Sequence, residues 1–75
     1  MIKRTSREHV LKILEKNHKS WQILDIGCNR DAVQYAQTAA DIQDLTSFYK
    51  DKKFVLIEGK DLPFEDNDFD FVFAS

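Results

Sequence analysis

At 75 residues the chain has room for one small domain with a modest core, and its 43% hydrophobic and 12% aromatic content lies well away from the composition of disordered chains. No apolar run approaches the roughly 18 residues that cross a bilayer, and MIKRTSREHV lacks the apolar centre of a secretory signal, so no membrane partner and a cytoplasmic location are expected. The net charge of −2 is uneven: residues 1–20 hold six basic groups against two acidic, and residues 21–75 hold five against eleven.

The first predicted element is helical. TSREHVLKILEKNHKS opens with Thr5 and Glu8 at capping-box spacing and sets Val10, Leu11 and Leu14 along one stripe with Ile13 beside it. An amphipathic helix is expected over about residues 6–18, inside an N-terminal segment 1–20. Its basic face carries no interleaved aromatics, and the acidic remainder of the chain would repel phosphate; a solvated face is therefore favoured over a nucleic-acid surface. WQILDIG, residues 21–27, is too densely apolar for a sheet with one wet face and reads as a buried, central, parallel strand ended by Gly27. Asp31 followed by Gln34 resembles a helix start, and AVQYAQTA, residues 32–39, would give two turns with Val33 and Ala36 inward.

AADIQDL, residues 39–45, is placed as the second strand because a parallel pair needs a crossover of about a dozen residues. A short helical turn around LTSFYKD leads to FVLIE, residues 54–58, as the third strand. GKDLPFEDND, rich in Gly, Pro, Asn and acids, is a loop, and FDFVFA, residues 69–74, alternates into a fourth strand. There Phe69, Phe71 and Phe73 are expected on one face and Val72 and Ala74 on the other.

Alternating strands and helices imply an open α/β sheet, whose ligands bind beyond the carboxyl ends of the strands. The oddly placed polar residues gather there: Asp25, Gly27, Cys28 and Asn29 after the first strand, Asp41 and Asp44 after the second, Glu58 to Asp61 after the third. Asp25 in a buried strand either meets a cationic ligand or accepts hydrogen bonds from nearby loop N–H groups. Cys28 is read as a small buried residue within that loop, with no thiol chemistry. One cysteine forms no internal disulfide, and with His9 and His18 it offers no zinc spacing.

Over residues 21–75 the sequence resembles the class I S-adenosylmethionine-dependent methyltransferases, in their small-molecule and sugar-associated branch. ILDIGC is similar to their first motif, an acidic residue followed by a glycine-containing loop after strand one. LPFEDNDFDFVFAS is similar to their passage from the loop after strand three into strand four. The resemblance implies the N-terminal half of a Rossmann-like sheet in the order 3-2-1-4, preceded by a leading helix. It implies S-adenosyl-L-methionine as cofactor, with Asp25, Gly27, Cys28 and Asn29 around the methionine end. Asp44, with Asp41 in reserve, would take the ribose hydroxyls; Asp61 would meet the adenine amine and Leu62 the adenine ring. Asn29 and Asp31 stand where the family commonly has glycines, and Lys60 where it often has an acidic or amide residue. Asn29 tolerates a left-handed backbone, and Asp31 at a helix start would repel the pyrophosphate of NAD or FAD.

The implied function is the cofactor-binding part of a methyltransferase acting on a small-molecule acceptor. The alternative is a catalytically inactive binding or regulatory remnant of the same fold. The family's acceptor-facing groups come from beyond strand four, so no catalytic residue is named, and a fragment of a longer protein, or a chain completed by a partner, is expected. Left as an edge, the fourth strand is expected to promote self-association.

Overall fold

The structure, a computed structural model, describes residues 7–59, 61–65 and 67–74. It is a small α/β domain with one helix, α1 (Arg7–Asn17), and four strands: β1 (Ile23–Ile26), β2 (Thr38–Asp41), β3 (Lys53–Leu56) and β4 (Phe71–Ala74). All neighbouring strands are parallel, in the order β3-β2-β1-β4. Thr5, the expected helix cap, and Lys60 lie outside the described residues. Among those residues, no helix is long and apolar enough to cross a membrane.

Register sorts the side chains onto two faces. Ile23 pairs with Phe71, Asp25 with Ala39 and Phe73, and Ala39 with Phe54; residues paired in this way point to the same side. This face is the covered one. Val10 and Leu14 of α1 pack with Ile23, Val33 and Ala36, and Phe71 and Phe73 lie against them. Beside that cluster, Leu45 and Tyr49 close over Ala39 and Cys28, with Phe54 at the margin. The helix thus buries its Val10–Leu14 stripe against β1 and β4, while the segment between β2 and β3 buries its own apolar pair against β2. A one-turn hydrogen-bond pair from Phe48 and Tyr49 to the Leu45 carbonyl, at 2.9 and 3.1 Å, makes the short turn expected around LTSFYKD.

The opposite face carries Leu24, Ile26, Thr38, Val55 and Val72, and the β3–β4 loop lies over it through Pro63, Phe64 and Phe69. The loop's acids have local work: the Asp68 carboxylate accepts the Glu65 N–H at 2.8 Å, closing a turn, and that of Asp70 accepts the Gln22 N–H at 2.7 Å. The second bond adds a side-chain rung where β4 joins β1.

Three expectations are corrected. No helix forms over residues 32–39. Two successive turns, Asp31 N–H to the Cys28 carbonyl and Ala36 N–H to the Val33 carbonyl, carry the chain instead, and Tyr35 sits at φ 80°, outside helical space. So short a segment has little helical stability of its own, and the side chains that seize its backbone decide the conformation. Asp31 therefore caps nothing and pairs with Arg7, whose Nη2 donates to its carbonyl at 2.7 Å. Second, β2 spans Thr38–Asp41, so it ends at Asp41 and not near Asp44. Third, Phe69 precedes the strand and meets Phe64 edge-on, on the side of Val72 and away from Phe71 and Phe73.

Strand β4 is an edge of the sheet, carries no charge, and leaves Val72 50% exposed. Such an edge predicts association as concentration rises. Light scattering should show the mean mass growing with concentration, and Val72→Lys should suppress that growth while changing stability by no more than about 0.5 kcal/mol, as for most surface substitutions.

Candidate functional site

Strand β1 ends in a turn built from two left-handed residues. The N–H groups of Gly27 and Cys28 both reach the Ala40 carbonyl, at 2.8 and 3.3 Å, and the chain then leaves the sheet with Gly27 at φ 71° and Asn29 at φ 49°. Glycine takes that conformation freely, and Asn is among the few other residues that take it routinely. The left-handed backbone expected of Asn29 is what the structure shows.

Across from this turn, β2 ends in a buried carboxylate. Asp41 Oδ2 accepts the Asn29 N–H at 2.8 Å, and Oδ1 accepts the Gln43 N–H at 3.0 Å. The Gln43 side chain completes a ring, its Nε2 donating to Asn29 Oδ1 at 3.0 Å. Burial pushes the Asp41 carboxyl up, but the backbone N–H groups of Gln43, Asn29 and Ile42 outweigh it and leave the group below its ordinary value. Asp41 is thus an anion at neutral pH, held by backbone N–H groups with help from the Gln43 side chain.

Between the ends of β1, β2 and β3 opens a cleft of about 320 Å³, lined by Ile26, Gly27, Asn29, Asp41, Ile42, Gln43 and Ile57. Among the described residues its lining has one carboxylate, two amides, three isoleucines and no cation. Ile42, 78% exposed, stands beside it as a free apolar surface. Of the residues expected at the site, Gly27 and Asn29 line this cleft together with Asp41.

The others are placed elsewhere. Asp25 is fully buried on the covered face and its Oδ2 accepts the Val33 N–H at 2.7 Å, which accounts for a carboxylate inside the central strand: it pins the crossover. Cys28, 2% exposed, is buried behind the turn, and its thiol is pushed up by burial, partly offset by the Tyr49 hydroxyl, so it stays protonated. Asp44 is exposed and accepts from both the N–H and the hydroxyl of Thr46, at 3.1 and 2.7 Å, an arrangement internal to its own turn. Asp61 is exposed on the β3–β4 loop, and Leu62 lines a different, apolar cleft on the other sheet face with Phe64 and Val72. Among the described residues no cluster of His, Cys, Asp or Glu suits a metal ion.

Sequence reasoning passed over Ile42, Gln43 and Ile57. The first two were hidden by extending the second strand to residue 45; the alternation in ADIQD carries no mark of where pairing stops. Ile57 sits just beyond β3, where its N–H still reaches the Asp41 carbonyl at 2.9 Å.

Two outcomes follow from this geometry. Asn29→Gly should keep the turn, whereas Asn29→Val should destabilise the chain by about 1–2 kcal/mol in urea titrations, because a β-branched residue fits left-handed space poorly. For Asp41 the folded pKa lies below the unfolded one, so its stabilisation is complete above the unfolded value and is lost as pH falls through the folded value. Asp41→Asn should cost about 2 kcal/mol at pH 7, with the gap to wild type narrowing below about pH 4. A comparison of the chain with family models, curated proteins and solved structures gives no match in any of the three.

Proposed function

We infer that the chain is the S-adenosylmethionine-binding part of a methyltransferase that methylates a small-molecule acceptor. The observation that carries this reading is the meeting of Asp41 with the Gly27–Asn29 turn across one cleft, at the carboxyl ends of β1 and β2 in a parallel sheet ordered 3-2-1-4. The residues present fit the cofactor. Gly27 offers backbone with no side chain in the way. A carboxylate has about four acceptor sites; Asp41 holds the Asn29 and Gln43 N–H groups on two of them, with the Ile42 N–H and the Gln43 side chain drawn to the rest, so a ribose hydroxyl would bind in exchange for one of these weaker partners. Ile42 and Ile57 give a planar base an apolar surface. Among the described residues the lining holds no cation to receive a phosphate, and S-adenosylmethionine has no phosphate.

The ribose role accordingly falls to Asp41 and not to Asp44, whose carboxylate is turned to Thr46. The adenine contact falls to Ile42 and Ile57 and not to Asp61 and Leu62. When bound, the cofactor supplies a methyl group already activated on a sulfonium. This chain's residues then hold and orient: Asp41 and Asn29 set the position of the ribose end, and the isoleucines keep water from the base. The acceptor and any general base are outside what these residues carry.

A second reading, an inactive binding or regulatory remnant, is favoured by the fact that both Asp41 oxygens are already engaged within the chain. Calorimetry with S-adenosylhomocysteine separates the two. Saturable binding is expected, weakened about tenfold or more in Asp41→Asn, the size of one hydrogen bond to a charged group, and unchanged in Asp44→Ala. A wild-type chain that takes up no S-adenosylhomocysteine rules out the cofactor reading.

A further inference from the structure

Tyr49 stands behind the cleft and not in it. Its hydroxyl donates to the Asn29 carbonyl and accepts the Ala32 N–H at 3.0 Å. A phenol has one proton and two lone pairs. With the proton committed to the Asn29 carbonyl, a lone pair serves the Ala32 N–H, and the hydroxyl bridges the two ends of the turn. Burial and the Cys28 contact push the hydroxyl up to about 12, so it is a fixed donor across the physiological range.

The ring that carries this hydroxyl is itself held. Tyr49 is 7% exposed, stacks on Phe54 of β3 with centroids 5.8 Å apart, and meets Phe48 edge-on at 4.9 Å. The hydroxyl is therefore anchored to the sheet, while the backbone it grips belongs to the turn. Asn29 is the residue on which three restraints converge. Its N–H goes to Asp41, its side-chain oxygen to Gln43, and its carbonyl to Tyr49. The first two lie on the cleft side; the third pulls from behind. Asn visits left-handed space without being confined to it, and Tyr49 grips both Asn29 and, three residues on, Ala32.

We propose that Tyr49 is a positioning residue for ligand binding in the Gly27–Asp41 cleft: it holds the Asn29 peptide from behind and so sets the shape of the cleft without touching its occupant. The identity of the ligand rests on the cofactor reading above; the grip on the turn rests on geometry alone.

The test has one arm in the wild-type chain and one in a variant. In wild type the Tyr49 hydroxyl proton should appear as a slowly exchanging NMR resonance; a hydroxyl in fast exchange with water overturns the proposal without any substitution. In Tyr49→Phe, which keeps the ring, amides of residues 28–32 should exchange about tenfold faster while those of β1 and β4 keep their protection. S-adenosylhomocysteine should bind about three- to tenfold more weakly, the range of one lost hydrogen bond. Leu11→Ala trims the distant core under α1 and serves as the control for general destabilisation, with affinity expected at the wild-type level. Unchanged exchange in the turn of Tyr49→Phe, or equal loss of affinity in both variants, overturns the positioning role. A wild-type chain that binds no S-adenosylhomocysteine removes the cofactor reading instead, and the hydroxyl and exchange measurements still decide whether Tyr49 holds the turn.

Discussion

A crossover between two parallel strands must satisfy its own backbone, and here it does so without a helix. Residues 27–37 join β1 to β2 with two turns, which leaves most of their N–H and carbonyl groups to find partners elsewhere. Side chains provide them. Asp41 takes the Asn29 N–H, Tyr49 the Asn29 carbonyl and the Ala32 N–H, Arg7 the Asp31 carbonyl, Asp25 the Val33 N–H, and Lys52 the Ala36 carbonyl. These residues come from α1, β1, β2 and the β2–β3 segment, so the crossover is clasped by every element around it. A buried backbone group left unpaired costs about 1–3 kcal/mol, which makes Asp25, Asp41, Tyr49 and Lys52 more consequential than their own contact areas suggest, whereas the Arg7 bond is exposed.

The same constraint explains the concentration of acids near the carboxyl ends of the strands. Asp25 and Asp41 are both nearly inaccessible; the Asp25 carboxylate takes the Val33 N–H, and that of Asp41 takes the N–H groups of Asn29 and Gln43. Backbone dipoles stabilise an anion at fixed distance and do not bring a flexible cation into the core. The cleft thus has a negative wall, with no positive charge among the described residues of its lining. That polarity suits a ligand that donates hydrogen bonds or is cationic, and it disfavours phosphates. Site chemistry and fold stability here draw on the same carboxylate, Asp41, because the bonds that hold the turn also orient the group facing the cleft.

Much of the architecture was legible. The density of apolar residues in WQILDIG identified a strand buried on both faces, and the structure puts β1 between β2 and β4. FVLIE and FDFVFA gave β3 and β4 within two residues, since short apolar runs between turn signals have few other uses. Val10 and Leu14 were expected on the buried stripe of the helix, and both are buried. Val33 and Ala36 were expected inward and are, although in turns and not in a helix. The end of β2 was not legible, because AADIQDL offers two acids, Asp41 and Asp44, for the strand's end, and only the pairing of Asp41 with Leu56 settles which one is used.

What the sequence determined by itself is therefore the set of strands, their parallel arrangement and the left-handed turn at Gly27 and Asn29, because periodicity and local backbone preference act over a few residues. What only the tertiary structure decided is which acid faces the cleft, the absence of a helix between β1 and β2, and the convergence of Tyr49 on Asn29 from twenty residues away. Each of these depends on a partner distant along the chain. Local propensity for a two-turn helix is worth little, and a buried carboxylate, a lysine and a tyrosine competing for the same backbone groups outweigh it.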